Sequence, residues 1–198
     1  MKIICYGDSN TYGYDPHGYP ELRFSQEIRW VDHIAQQLAE QIEEVVNLGQ
    51  NGREVPDNQW ERAQDVAVYI AEISNPEDII TVMLGGNDLL LGNLSAEETT
   101  AKMKVLLEYM KDKLEGRKIL LAAPIVMQHG YWVPEDHYIE ESKILVKLYE
   151  KLAQDLDIDF VDPNQWGIGV AEDGVHFTAE GSKVFGQNIY QFLKAKYF

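Results

Sequence analysis

Four short clusters in this chain carry side chains that could do chemistry together: Gly7-Asp8-Ser9-Asn10, Asn47 to Gly52, Gly85-Gly86-Asn87-Asp88 and Asp173-Gly174-Val175-His176. A serine hydroxyl is a weak nucleophile until a base takes its proton. His176 offers that base, because a neutral imidazole titrates near working pH. Asp173 lies three residues before it, so a single turn can bring carboxylate and ring together and fix the tautomer, leaving the other ring nitrogen for Ser9. Acyl transfer also needs donors where the oxyanion develops. The Asn87 amide can donate, and Gly52 has no side chain to keep a ligand from its N–H. With the Ser9 N–H these make three donors. Taken singly, each cluster also reads as capping or turn chemistry, since serine caps helices and Asn-Gly pairs mark turns. Their conjunction supplies nucleophile, base, orienter and oxyanion donors in one chain.

The elements that must position these groups alternate along the sequence. Ile3 to Tyr6 is a short apolar run ending at Gly7, a buried strand. Residues 28–42 place Ile28, Val31, Ile34, Ala35, Leu38 and Ile42 on one helical stripe. Val45-Val46 predicts a brief strand, and residues 58–73 a helix through Trp60, Ala63, Ala67, Ile70 and Ile73. Ile79 to Leu84 is the strongest strand, β-branched and stopped by two glycines. Ser95 with Glu98 is a capping-box signature for a helix carrying Met103, Leu106, Leu107, Met110 and Leu114. A strand at Ile119 to Ala123, a helix at 137–156, a strand at Ile158 to Val161 and a helix capped by Thr178 complete the series. Strands alternating with helices imply a parallel sheet covered on both faces. Such sheets bind ligands at the carboxyl ends of their strands, where all four clusters fall. No repeat or linker marks a boundary, so the expectation is one domain over 1–198.

Two connections, 11–27 and 124–136, exceed the usual length of about 2–6 residues for such units and are rich in aromatics, proline and glycine. They either wall a pocket, build a subunit contact or pack as ordinary surface loops.

Composition excludes several classes. The 33 acidic against 17 basic residues give a net charge of −16. No basic cluster is present to neutralise phosphates, which argues against nucleic-acid binding, and the same charge disfavours anionic membranes. No apolar run reaches the roughly 18 residues of a membrane span. The four residues Ile3 to Tyr6 are too few for the core of a signal peptide, and a lone cysteine, Cys5, suits a reducing compartment, so the expected location is cytoplasmic. No His/Cys/Glu set has metal-site spacing and no Gly-rich phosphate motif occurs, so neither metal nor cofactor is expected.

With Ser9 in GDSN, Gly52 in NLGQNG, Asn87 in GGND and His176 in DGVH, all in order, the chain resembles the SGNH/GDSL hydrolases over residues 3–185. The resemblance implies a flavodoxin-like three-layer α/β/α sandwich with a five-stranded parallel sheet and hydrolysis of esters through an acyl-enzyme. It implies Ser9 as nucleophile, His176 as base, Asp173 as its orienter, an oxyanion hole from the Ser9 and Gly52 N–H groups and the Asn87 amide, and structural roles for Asp8 and Asp88. The stretch GYDP…RF…IRW…AQQL, Gly13 to Leu38, is similar to a subgroup of oligomeric aryl esterase/acyltransferases, which implies a homo-oligomer here. Two departures, Asn10 where leucine is usual and Arg53-Glu54 where Asp-Thr is frequent, are expected to flank the acyl site and bear on substrate preference. The expected substrate is a small ester. A lysophospholipase or thioesterase acting on longer chains, and a non-catalytic ligand-binding member of the fold, remain as alternatives.

Overall fold

Apolar strands that alternate their side chains between two faces need cover on both sides, and this chain supplies it with helices. The computed structural model describes residues 1–19, 22–57 and 61–198. Five strands, β1 (Lys2–Gly7), β2 (Glu44–Gly49), β3 (Ile79–Met83), β4 (Lys118–Ala122) and β5 (Asp159–Val161), form one parallel sheet in the order β2-β1-β3-β4-β5. That is the flavodoxin-like order. Register is direct: Ile4 lies opposite Ile80 on one side and Val46 on the other.

The two-residue period sorts the core into two layers. Ile4, Tyr6, Ile80, Val82, Ile119 and Leu121 face one way. They pack on α3 (Ala63–Ile73), α5 (Ala96–Lys113) and α6 (Asp136–Leu156), where Ile70, Leu106, Leu107, Leu145 and Tyr149 are buried. Ile3, Cys5, Ile79, Met83, Leu120 and Val161 face the other way, against Trp30, Val31 and Ile34 of α2 (Trp30–Gln37) and Phe185, Ile189 and Leu193 of α7 (Ala179–Tyr197). Two apolar faces explain why the strands read as unbroken hydrophobic runs.

Two very short helices, α1 (Ser9–Tyr12) and α4 (Gly86–Leu90), follow β1 and β3 directly. The capping box at Ser95 is present: its hydroxyl accepts from the Glu98 N–H and the Glu98 carboxylate accepts from the Ser95 N–H. Thr178 caps α7 by accepting from the Gly181 N–H. The helix expected over 28–42 is shorter, Trp30–Gln37, because Ile28 belongs to a turn closed on Ser25 and Leu38 ends the ladder. The strand expected at Val45-Val46 runs on to Gly49, so Asn47 lies within it and bonds the Thr11 carbonyl from there. The start of the helix expected at 58, with Trp60, falls outside the described residues; the described helix begins at Ala63.

Among the described residues no helix is long and apolar enough to cross a membrane.

Candidate active site

The strand order reverses around β1, since β2 lies on one side of it and β3 on the other. A crevice opens at such a switch point beyond the carboxyl ends of the strands. Ser9, two residues past the end of β1, and Asn87, four residues past the end of β3, both border a cavity at this end of the sheet.

Ser9 reaches this place through its neighbours. Asp8 leaves the strand in extended conformation and caps α1, its Oδ1 accepting from the Asn10 N–H at 2.9 Å. Capping therefore falls to Asp8, and the Ser9 hydroxyl is left free for another partner. Gly7 is required because a Cβ there would collide with Thr11 and with the Met83 carbonyl of β3.

The partner is His176. Its Nε2 lies 2.9 Å from Ser9 Oγ, and its Nδ1 lies 2.7 Å from Asp173 Oδ2. All three side chains are buried. Asp173 is held by a tight turn of its own making: Oδ1 accepts from the Val175 and His176 N–H groups, both at 2.9 Å, which leaves Oδ2 for the ring. Burial pushes the Asp173 carboxyl up, but the ring and the two N–H donors outweigh it and hold it at about 2. It is a carboxylate wherever the protein is folded at ordinary pH. A hydroxyl on an imidazole that is itself oriented by a carboxylate is the geometry of nucleophilic catalysis.

The long connection 124–136 secures the histidine turn. Gln128 donates to the Gly174 carbonyl at 3.0 Å, Tyr131 to Glu172 at 3.0 Å and Trp132 to Asp173 at 3.1 Å. The two backbones come so close that a Cβ on Gly130 or Gly174 would strike the other segment, and Gly174 also has φ +86°. Both long connections then reach the ring. Trp132 meets His176 edge-on at 5.2 Å between centroids, and Tyr14, from 11–27, lies at 4.4 Å on another side. Tyr14 is bridged to Arg23, whose guanidinium covers the Tyr12 ring. These connections wall the site, and Tyr14 and Trp132 are functional candidates that spacing alone did not single out; aromatic richness in over-long loops at the active end was the signal.

The expected oxyanion donors are arranged as follows. Asn87 is nearly buried, and its Nδ2 donates one hydrogen to the Arg53 carbonyl at 2.9 Å, leaving the second available. That bond draws the loop after β2 against Asn87, one residue from Gly52. Gly52 has φ +73°, and among the described residues its N–H has no acceptor. Ser9, as the first residue of α1, has an N–H that no helical carbonyl can reach. A small cavity of about 20 Å³ adjoins Ser9 and Asn87, lined also by Asn10, which was expected beside it, and by Met83, Gly86, Ile125, Met127 and Val175. Gly52 is not in its lining.

Asp88 is fully buried and structural. Its oxygens accept from the Val55 N–H at 2.8 Å and from the Lys102 ammonium at 2.6 Å. Burial pushes the Asp88 carboxyl up, and Lys102 and Val55 offset part of this. The pair fastens the Gly52 loop to α5. Arg53 and Glu54 do not flank the cavity as expected. Arg53 stacks on Tyr6 and donates to the Gly7 and Leu48 carbonyls, so it staples the ends of β1 and β2; Glu54 pairs with Lys102. An open cleft of about 760 Å³ lies on this outer side, beside β2 and α3, and includes none of Ser9, Asn87 or His176. Among the described residues no group of three or more His, Cys, Asp or Glu side chains could hold a metal ion. Cys5 is buried in the sheet, and burial pushes its thiol up to about 12.

Fold and site chemistry together define a carboxylic ester hydrolase on a three-layer α/β/α sandwich. The chain belongs to the GDSL-like lipase/acylhydrolase family, whose model matches residues 5–184. Among solved structures, an assigned arylesterase from Agrobacterium tumefaciens str. C58 is 27% identical with TM-score 0.84, covering 98% of this chain and 99% of that one. A carbohydrate acetylesterase family member from Sinorhizobium meliloti is 25% identical with TM-score 0.84, covering 98% of each chain. The aryl esterase of M. smegmatis is similar in fold, at 22% identity and TM-score 0.82, with 98% and 99% covered. Comparison with curated proteins gave no match.

Asp8 supplies a pH test. Burial, with the Asp88 charge adding to it, pushes the Asp8 carboxyl up to about 6, against the opposing Asn10 N–H, His176 and Arg53. An unfolded Asp titrates near 3.9. Between pH ~4 and ~6 the folded chain thus holds a proton that the unfolded chain has lost, so this group's contribution falls as pH rises through that window. Asp8→Asn, which keeps the capping oxygen, gains on the wild type between pH 4 and 7 by up to about 3 kcal/mol. Urea denaturation at the two pH values checks this; an equal difference at both contradicts it.

Proposed function

We propose that this chain is a serine esterase acting on acetyl and other short-acyl esters through an acyl-enzyme on Ser9. The observation that carries the reading is the hydrogen-bonded line from Ser9 Oγ through His176 to Asp173, at 2.9 and 2.7 Å. Ser9 Oγ attacks the acyl carbon as its proton passes to His176 Nε2. The Ser9 and Gly52 N–H groups and the free hydrogen of the Asn87 amide receive the oxyanion. His176 then donates its Nε2 proton to the departing alkoxide, leaving the acyl group on Ser9. Water then attacks the acyl carbon as it gives a proton to the same nitrogen, the bond from that carbon to Ser9 Oγ breaks, His176 returns the proton to Oγ, and the acid leaves. An alcohol in place of water gives acyl transfer. Asp173 stays ionised throughout and stabilises the imidazolium.

The geometry also divides the substrate. The leaving oxygen must meet His176 Nε2, so the alcohol lies between Tyr14 and Trp132, whose faces suit an aryl or sugar ring. The acyl substituent points away from the histidine into the small cavity. About 20 Å³ holds a group near the size of one water, hence a methyl. This favours acetyl over long chains, and it accords with the arylesterase and carbohydrate acetylesterase among the structural neighbours. The reading takes 1–198 as one domain working in the cytoplasm, consistent with a single buried cysteine. It also takes the working form as a homo-oligomer, with the highly exposed Tyr19 and Tyr131 of the two long connections as contact residues.

Ser9→Ala lowers p-nitrophenyl acetate turnover by a factor on the order of 10⁴ or more and abolishes fluorophosphonate labelling, as expected for loss of a nucleophile; retained turnover in the purified variant refutes the assignment. In a chain-length series the wild type prefers acetyl to octanoyl by roughly 100-fold or more, in line with the few kcal/mol that misfitting methylenes cost. Met127→Ala, which enlarges the cavity, narrows that ratio; an unchanged profile assigns the acyl group elsewhere. Light scattering on the purified protein reads the subunit number, and a monomer at micromolar concentration overturns the oligomer.

A further inference from the structure

Asn10 stands where the family pattern has leucine, and its side chain does something leucine cannot. Its Oδ1 accepts from the Phe177 N–H at 2.9 Å, and its Nδ2 donates to the Val175 carbonyl at 3.1 Å. Those two backbone groups lie immediately on either side of His176. One amide thus grips the histidine from both flanks, with each of its polar atoms matched to a backbone partner.

The grip is anchored at its other end. The Asn10 N–H donates to Asp8 Oδ1 at 2.9 Å, and its carbonyl accepts from the buried Trp30 indole at 2.8 Å. Trp30 is packed on Phe185 of α7. The residue after Ser9 is therefore fixed to the sheet, to α2 and, by its side chain, to the turn that carries His176. Ser9 and His176 are 167 residues apart and share a single hydrogen bond. Apart from the Tyr14 ring packed on His176, Asn10 supplies the polar tie between the two turns that set the Nε2–Oγ distance.

We propose that Asn10 is a positioning residue that locks the His176 turn to the Ser9 turn and so sets the alignment of base and nucleophile. This rests on the serine-esterase reading above. Its side chain also borders the small cavity beside Ser9, but both of its polar atoms are taken up by backbone partners, so its role is exerted through His176 and it receives no proton. Reactivity is steep in such alignment, since a displacement of about 1 Å can lower the rate by about 100-fold.

Asn10→Leu, close to asparagine in shape, removes both bonds. Asn10→Asp keeps the acceptor for Phe177 and loses the donor to Val175. The measurements are kcat and KM on p-nitrophenyl acetate and amide hydrogen exchange at Phe177. Asn10→Leu is expected to lower kcat roughly 10- to 100-fold with KM within about twofold, because alignment and not binding is lost, and to speed Phe177 exchange strongly. Asn10→Asp is expected to retain Phe177 protection and to lose less kcat, and it decides the matter if Asn10→Leu does not fold. A folded variant with unchanged kcat, a rise in KM in place of a fall in kcat, or unaltered Phe177 exchange in Asn10→Leu overturns the proposal. Should the wild type hydrolyse no ester while Asn10→Leu still releases the Phe177 amide, the esterase reading fails and the structural tie stands.

Discussion

Two hydrogen bonds form one buried line, Ser9 to His176 across 167 residues and His176 to Asp173 within a single turn, and much of the irregular structure keeps them aligned. They are buried, so each polar atom must be matched or the site would not persist. The matching is thorough. Asp173 uses one oxygen for its own turn and the other for the ring. Asp8 takes over the capping that would otherwise occupy Ser9. Asn10 closes the gap between the two turns.

Around this line the substrate sides differ in character. The side proposed for the alcohol is aromatic, because both over-long connections reach the His176 ring through Tyr14 and Trp132. The side proposed for the acyl group is narrow, with Met83, Ile125 and Met127 lining its small cavity. The large cleft beside β2 contributes nothing to either: the Arg53 staple and the Tyr6 ring separate it from Ser9. The convergence of buried polar groups, and not volume, marks the candidate site.

The charged groups near the site are structural first. Asp88 with Lys102 fastens the Gly52 loop to α5 at the cost of burying a carboxylate, and Asn87, beside it, binds the same loop through the Arg53 carbonyl. Two adjacent residues after β3 thereby hold the segment that carries Gly52. Position along β3 and the geometry of that loop are one problem, solved by a single pair of neighbours.

The sequence by itself determined the architecture and the cast. Short apolar runs alternating with helical stripes define a parallel sheet, because strands covered on both faces read that way. The four clusters named Ser9, Gly52, Asn87, Asp173 and His176 as candidates, because acyl transfer demands those functional groups and each fell after a strand. Only the tertiary structure decided how they meet. Asn10 and Arg53 were both legible as departures, but their contacts span 165 residues in one case and a strand pair in the other, and no local pattern encodes such pairings. Asn10 became a tie to the histidine turn, Arg53 a staple remote from the acyl side, and the aromatic connections two walls of one crevice. Periodicity records which faces are buried; it holds no record of which loops the closed sheet will bring together.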